Sequence, residues 1–234
     1  MINLDVYQND KTGIIRAAIQ EYSSTSKTVM DIGCAVGKWI PFLSIHFKKV
    51  IATDISAKNI ELAKTNCKAF TNVEYIRADM SDSKLKIAPA DSAVCINAIL
   101  TGELKKRITF LNSLHKCIKK GGMLVLVVPS LESSMYAGII RHRWKVDQQH
   151  QSRLASLQRR AAGFDNMQQG NVDIDNVPTK HYLREELLLL LEKEGFGIQS
   201  VQKVEYNWKT EFVSPPRWLG EPYPWDWMCI AKRK

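Results

Sequence analysis

The sequence has no long apolar run, no internal repeat and no low-complexity tract. No stretch reaches the roughly 18 consecutive apolar residues that a membrane-spanning helix requires. The start, MINLDVYQND, lacks a cationic region followed by an apolar segment, so no signal peptide is expected. A membrane partner is therefore not predicted.

Cysteine is scarce and unpaired. The five cysteines form no CxxC motif, and their number is odd. A disulfide framework and a Cys-rich metal site are therefore disfavoured, no metal is predicted, and a reducing, cytoplasmic setting is expected. Cys95 falls inside an apolar run, so we expect it to be a small core residue and not a nucleophile.

Most of the net charge of +9 lies in the first half of the chain, on lysines spread over many predicted helices, and not in the C-terminal half. Residues 1–130 hold 18 basic and 11 acidic residues (net +7), and residues 131–234 hold 15 and 13 (net +2). Positive charge allows an anionic partner without requiring one. The basic run Arg141–Lys145, followed by Arg153, Arg159 and Arg160, is expected to be a solvated helix face, with phosphate contacts as the alternative.

What the sequence does contain, from Lys27 onward, is an alternation of short apolar runs with amphipathic helical patterns. This alternation is typical of βαβ units and a parallel sheet. Strands are predicted at Thr28–Ile32, Val50–Thr53, Val73–Arg77, Ser92–Asn97 and Met123–Val128, and a terminal hairpin at Ile198–Tyr206 and Trp227–Lys232. Helices are predicted at Lys11–Tyr22, from about Lys38, after the N-cap Ser56, over Leu104–Ile118 with a Gly121-Gly122 cap, and over Leu183–Glu194. The rhythm breaks at Pro129, and about fifty residues pass before the last helix.

The strongest local motif is VMDIGCAVG, Val29 to Gly37. A glycine turn directly after a first strand lets the backbone approach a ligand, and the amides that open the next helix face that ligand. The second strand ends in Asp54, 21 positions after Gly33, where a carboxylate can accept hydrogen bonds from both hydroxyls of a ribose. The third strand leads into Asp79-Met80, which suits an adenine amino group and an apolar adenine face.

These residues resemble the class I methyltransferases that use S-adenosylmethionine. In that family an acid stands two residues before a G-x-G-x-G loop, as Asp31 does before Gly33-Cys34-Ala35-Val36-Gly37, although Ala35 replaces the middle glycine. The resemblance implies one α/β domain over residues 1–234, with a Rossmann-like, mostly parallel seven-stranded sheet, a C-terminal antiparallel hairpin and helices on both faces. It implies S-adenosylmethionine as the cofactor, with contacts from Asp31, Gly33, Cys34, Ala35, Gly37, Asp54, Ile55, Asp79, Met80 and Asn97. At Ala35 we expect a backbone φ below zero.

Two other types of protein could share parts of this pattern. A nicotinamide enzyme shares the strand, turn and acid, but it prefers G-x-G-x-x-G spacing and leaves Asp31 unexplained. A non-catalytic protein that kept the fold to bind a cofactor or a partner is the other alternative.

The methyl acceptor is not specified by any motif. The fourth strand ends Asn97-Ala98-Ile99-Leu100, which is not an Asn/Asp-Pro-Pro-aromatic motif, and this argues against amino methylation of adenine or glutamine by that route. His181 and Tyr182, just before the last helix, are the catalytic candidates, with His181 as a general base or as a structural residue. The tryptophans Trp208, Trp218, Trp225 and Trp227 are expected mostly to pack the hairpin, with a substrate wall as the alternative.

The length of the segment before the last helix and the charge of the C-terminal half indicate how the acceptor is bound and which class it belongs to. Residues 131–180 are predicted to form an insertion that acts as a lid and contacts the acceptor. A small-molecule acceptor is favoured because the C-terminal half is nearly balanced in charge and rich in aromatic residues. An RNA or a protein acceptor is the alternative.

Overall fold

The computed structural model describes residue 10, residues 12–147 and residues 169–234. The strands are β1 (Ser24–Ile32), β2 (Phe47–Asp54), β3 (Val73–Arg77), β4 (Ala90–Ile96), β5 (Ile118–Pro129), β6 (Asn171–Ile174), β7 (Val177–Lys180), β8 (Phe196–Glu205) and β9 (Trp225–Arg233). The helices are α1 (Ile14–Tyr22), α2 (Ile40–His46), α3 (Ala57–Asn66), α4 (Leu104–Lys116), α5 (Leu131–Arg143) and α6 (Arg184–Lys193).

Seven strands form one sheet in the order β3-β2-β1-β4-β5-β9-β8, and β6 pairs with β7 in a separate hairpin. The first five strands of the sheet are parallel, whereas β9 runs antiparallel to both β5 and β8. The predicted fold, a mostly parallel seven-stranded sheet closed by an antiparallel hairpin, is therefore confirmed. The strand order reverses direction between β1 and β4, the point at which open α/β sheets bind ligands.

Helices cover both faces of this sheet because successive side chains of a buried strand point to opposite sides. In β5, Leu124 and Leu126 join a core with α4 and α6, whereas Val125 and Val127 join a core with α1 and α2. All four of these β5 side chains are at most 3% exposed. Two hydrophobic layers therefore sandwich the central strands.

The helix after β2 begins where the sequence predicts. The Ser56 hydroxyl accepts a hydrogen bond from the backbone N–H of Asn59 at 3.3 Å, which satisfies one of the free donors of the first turn of α3. Pro41 lies in the first turn of α2, where its missing N–H has no helical partner to lose.

The predicted end of α4 is wrong. The helix stops at Lys116, and the Gly121-Gly122 pair lies inside β5, where the ladder with β4 shifts register. Gly121 has a φ of +78°, and a Cβ on Gly122 would lie 2.6 Å from the Asp91 carbonyl oxygen. The glycines therefore shape the entry of a strand, because Ile118 already pairs with Ala90.

The segment after Pro129 holds a helix that the sequence reasoning missed. Ser130 caps α5 by accepting from the Ser133 N–H at 3.0 Å. The pattern is indistinct because Ala137 and Ile140 are buried whereas the larger Met135 and Ile139 are exposed. Residues 148–168, including Arg153, Arg159 and Arg160, lie outside the described residues, and the single domain and the lid over 131–180 stay predictions. No helix among the described residues is long and apolar enough to cross a membrane.

Candidate functional site

A cavity of about 430 Å³ opens at the carboxyl ends of β1, β2 and β4, at the point where the strand order reverses. Its walls include seven of the ten residues predicted to contact the cofactor: Gly33, Ala35, Asp54, Ile55, Asp79, Met80 and Asn97. The sheet brings them together because the ends of parallel strands meet at one edge. We name this space the first cavity.

Three of the predicted residues lie behind its wall. Asp31 is 3% exposed within β1, and Cys34 packs with the apolar side of α3. Gly37 has a φ of +90°, and a Cβ there would come within 2.8 Å of the Cys67 sulfur. Gly37 thus permits the close approach of the loop to α3.

Asp54 ties the loop after β1 to the start of α3. Its Oδ2 accepts from the Ala35 N–H at 3.0 Å, while its Oδ1 accepts from the Ser56 N–H at 2.9 Å and the Asn59 side-chain amide at 3.2 Å. A carboxylate has about four acceptor positions. Three donors from the described residues leave room for about one more, on Oδ2.

The backbone at Ala35 contradicts the sequence expectation. Its φ is +47°, not below zero. Left-handed backbone costs an L-residue roughly 1–2 kcal/mol relative to its usual conformations. The hydrogen bond from the Ala35 N–H to Asp54 holds the loop in this turn, so the alanine adopts the conformation that a glycine would take without strain.

Asp31 is a buried carboxyl group without full hydrogen bonding. Its Oδ2 has no hydrogen-bond partner among the described residues. Burial, with a further contribution from the nearby charge of Asp54, raises the pKa of Asp31 from 3.8 to about 7. Asp31 is therefore partly protonated near neutral pH, and a cationic ligand close to the glycine loop would favour its ionised form.

At the Asp79 end of the first cavity, one part of the wall is polar and another part is apolar. The Asp79 Oδ1 accepts from the N–H and the hydroxyl of Ser81, at 2.8 and 2.6 Å. Met80 and Phe110 supply apolar surface, and Lys106 of α4 also lines the space. Sequence reasoning missed Ser81, Lys106 and Phe110. The pairing of Asp79 with a serine two residues later was the available signal for Ser81, whereas the α4 residues carry none.

A second cavity of about 270 Å³ begins on the other side of Asn97. The Asn97 side-chain amide donates to the Asp226 Oδ2 at 2.9 Å, across from β4 to β9. Tyr206 also lines this space, and its hydroxyl donates to Glu211 at 3.0 Å. Burial first, and the charge of Glu211 second, raise the pKa of Asp226 to about 6, although the hydrogen bond from Asn97 lowers it.

Neither catalytic candidate lines these two cavities. Tyr182 is 1% exposed, and its hydroxyl donates to the Ile99 carbonyl at 3.0 Å. His181 donates from Nδ1 to the Thr179 carbonyl at 3.0 Å, which leaves Nε2 as the acceptor of the neutral ring. Burial lowers the pKa of His181, opposed by that hydrogen bond and by the charge of Glu211.

The tryptophans mostly pack the C-terminal part of the chain. Trp208, Trp225 and Trp227 are at most 8% exposed, whereas Trp218 is 58% exposed and lies 5.3 Å from the ring of Trp144. In the basic run, Arg141 donates to the Glu211 carbonyl and its guanidinium stands over Phe212 at 5.0 Å. At least this arginine therefore has a packing role.

The cysteines offer no reactive thiol. All five are free and buried. Burial raises the pKa of Cys95 to about 12, so its thiol is protonated at neutral pH. Within the described ranges, no group of three or more His, Cys, Asp or Glu side chains could hold a metal ion.

Comparison with known proteins identifies the domain that this geometry belongs to. A family model described as a methyltransferase domain matches residues 29–122, from the middle of β1 into β5. Residues 29–122 therefore match a methyltransferase domain. A search of curated protein sequences gives no match.

Solved structures of methyltransferases share this fold. An S-adenosylmethionine-dependent methyltransferase from Methanosarcina mazei is 18% identical, with a TM-score of 0.65 over 92% of this chain and 96% of that one. One from Mesorhizobium loti is also 18% identical, with a TM-score of 0.64 over 99% and 100%. The N-methyltransferase NodS from Bradyrhizobium japonicum, in complex with S-adenosylhomocysteine, is 14% identical, with a TM-score of 0.60 over 95% and 84%.

The domain match and the fold together confirm three predictions. The resemblance to class I methyltransferases holds, the chain is an enzyme of that class, and its cofactor is S-adenosylmethionine. The individual contacts of the ten predicted residues stay predictions.

Proposed function

We propose that the first cavity binds S-adenosylmethionine and that the enzyme transfers the methyl group to a small molecule. The observation that carries this proposal is the convergence of Gly33, Asp54, Asp79 and Asn97 on one cavity at the reversal of strand order. The cofactor supplies a methyl group on a sulfonium, which already contains its leaving group. Positioning and exclusion of water are therefore what the protein has to provide.

The residues present fit such a ligand. Asp54 has room on Oδ2 to accept from a ribose hydroxyl, and Asp79 with Ser81 faces the polar edge of an adenine. Met80 and Phe110 would contact the faces of the base. Asp31 and Asp54 give the negative potential that suits a sulfonium and an ammonium group.

Product analysis tests this function directly. The purified protein would be assayed for S-adenosylhomocysteine formation against a panel of acceptors, and bound cofactor would be identified by mass spectrometry. Cofactor binding with turnover of a small acceptor supports the proposal. Binding without turnover of any acceptor would favour the non-catalytic alternative.

Substitution of Asp54 tests the cofactor site. We expect Asp54→Ala to weaken S-adenosylmethionine binding by about tenfold to a hundredfold, because a charge-assisted hydrogen bond contributes about 1.5–3 kcal/mol. The loss of the contacts to Ala35 and Ser56 would add to this effect. Calorimetry would measure it, with Asp82→Ala as the control, since Asp82 accepts from Lys84 outside the cavity. Unchanged binding in a folded Asp54→Ala protein would remove Asp54 from the site.

An RNA or protein acceptor is the competing proposal. An enzyme that acts on RNA should bind it in proportion to the phosphates it neutralises, with affinity that falls steeply as salt rises. Because Arg141 packs on Phe212 and the charge is spread over the chain, we expect no such binding. Micromolar RNA affinity that drops a hundredfold or more between roughly 50 and 200 mM salt would reverse this preference.

The lid and the cellular location complete the proposal. Lys180 of β7 donates its N–H to the Leu100 carbonyl, and Thr179 forms an isolated bridge with Thr101, a residue of the first cavity. The β6–β7 hairpin thus adjoins the first cavity, which supports the proposal that residues 131–180 form a lid over it.

The expectation of a cytoplasmic protein rests on the free thiols alone.

A further inference from the structure

The second cavity adjoins the first through a shared wall. Asn97, which follows β4, lines both of them, so a molecule in the second cavity would lie next to one in the first. The remaining wall comes from the ends of β4, β5 and β8, the start of β9, Thr210, and Ile15 of α1. A volume of about 270 Å³ corresponds to roughly nine water molecules in the liquid, and therefore to a small organic molecule.

The lining of this cavity has one charge, and that charge is negative. Among the described residues, Asp226 is the only ionisable carboxylate or cation in the wall. Val127, Pro129, Val204 and Ile15 make the opposite surface apolar. A pocket that combines apolar side chains with one fixed carboxylate selects a ligand with an apolar part and one cationic group.

Two polar groups of the wall are arranged to accept hydrogen bonds. Tyr206 donates its proton to Glu211 and also has a hydrogen bond with the Ser133 side chain, so its phenolic oxygen can meet a ligand only as an acceptor. Asn97 donates to one oxygen of Asp226, which leaves the other oxygen available. A ligand with several N–H donors would satisfy both groups, whereas a phosphate or a carboxylate would be repelled by the Asp226 carboxylate.

We propose that the second cavity binds the methyl acceptor and that Asp226 and Tyr206 select a small molecule with a protonated amine. This inference rests on the proposed function, because the first cavity must hold the methyl donor. The amine lies across Asn97 from that donor, on the side towards α1. Asp226 is then the binding residue for the ammonium group and Tyr206 a second hydrogen-bond acceptor.

The contact between the ammonium group and Asp226 also provides a path for the proton. The ammonium group passes one proton to the Asp226 carboxylate, and the freed nitrogen lone pair forms the new N–C bond to the methyl group. The C–S bond breaks and its electron pair stays on sulfur, which gives S-adenosylhomocysteine and a methylated ammonium. The proton leaves Asp226 for solvent. Because burial has raised the pKa of Asp226 to about 6, its carboxylate is more basic than an ordinary one.

Binding measurements on the complex with S-adenosylhomocysteine test this selection. The probes are benzylamine and butylamine, each paired with its neutral analogue, benzyl alcohol and butanol. The proteins are the wild type, Asp226→Asn, Tyr206→Phe and the control Glu185→Gln, which changes an exposed carboxylate of α6. Calorimetry first measures the affinity for S-adenosylhomocysteine, and NMR titration then measures each probe.

At least one amine should bind the wild type more tightly than its alcohol. Asp226→Asn should weaken that amine by about tenfold to a hundredfold and leave the alcohol unaffected, because a charge-assisted hydrogen bond is lost. Tyr206→Phe should weaken the amine severalfold, and Glu185→Gln should change nothing. Product mass would show the methyl group on nitrogen.

The two proposals fail in different ways. If the wild type does not bind S-adenosylhomocysteine, the proposed function itself is overturned. Normal S-adenosylhomocysteine binding with amines no tighter than alcohols, or with amine affinity unchanged in both Asp226→Asn and Tyr206→Phe, would overturn the amine pocket alone. If Asp226→Asn does not fold, the amine affinity of Tyr206→Phe tests the amine pocket instead, because this substitution removes only one oxygen atom.

Discussion

At pH 8, Asp31→Asn is expected to raise the free energy of unfolding of the ligand-free enzyme by about 2–4 kcal/mol. The wild-type carboxylate is ionised at that pH, 3% exposed, and without a partner on Oδ2 among the described residues. Its pKa of about 7 lies roughly three units above the ordinary 3.8, and each unit corresponds to about 1.36 kcal/mol. Asparagine keeps the shape and removes the charge.

The gain should depend on pH in a defined direction. Because the folded-state pKa of Asp31 is raised, the folded protein binds this proton more tightly than the unfolded chain. The wild type therefore loses stability as the pH rises from about 4 to about 7, and the loss is complete above that. Wild type and Asp31→Asn should be equally stable near pH 4 and differ most at pH 8.

Urea denaturation of both proteins across this pH range would measure the difference. Asp91→Asn is a suitable contrast, because the hydrogen bonds from Lys119 and Thr28 outweigh burial and lower the pKa of Asp91. That substitution should destabilise the protein above pH 4. If Asp31→Asn is less stable than the wild type at pH 8, the prediction is wrong, and the ionised Asp31 carboxylate is stabilised by contacts within the folded protein.

Gly33→Ala is expected to destabilise the fold by about 2–5 kcal/mol. A Cβ at this position would lie 2.4 Å from the Ala98 Cβ, and the φ of +75° disfavours any L side chain. The conformational part costs roughly 1–2 kcal/mol and the steric part roughly 1–3 kcal/mol. The obstacle to a side chain at Gly33 is thus Ala98, in the loop after β4.

A second substitution separates the two costs. Ala98→Gly removes the colliding methyl group, so the double variant Gly33→Ala/Ala98→Gly should regain the steric part and keep the conformational one. Gly138→Ala serves as the control, since a Cβ in this α5 position would meet no atom within 4 Å. That control should be neutral or stabilising by up to about 1 kcal/mol. If Ala98→Gly gives no recovery, the loops do not meet as described.

Local sequence signals predicted an element correctly where a single effect, such as strand periodicity or helix capping, dominates. The bounds of β3 match the prediction, and Ser56 and Gly195 lie at the helix ends where capping chemistry puts them. The predictions failed where neighbours override propensity. The glycine pair after α4 reads as a helix cap in sequence, yet the partner strand β4 draws Ile118 into the sheet. Likewise, α5 lacks a clear apolar stripe because its small Ala137 faces the core.

The sequence alone determined the chain order of the seven strands of the main sheet and the acids at the strand ends, because strand periodicity, glycine turns and caps act over a few residues. Tertiary structure decided which groups meet. Asn97 and Asp226 are 129 positions apart and touch only because β9 inserts antiparallel beside β5. The φ of Ala35 depends on Asp54, and the raised pKa of Asp31 depends on burial between two layers of helices. Such properties arise from long-range contacts and desolvation, which no local pattern encodes.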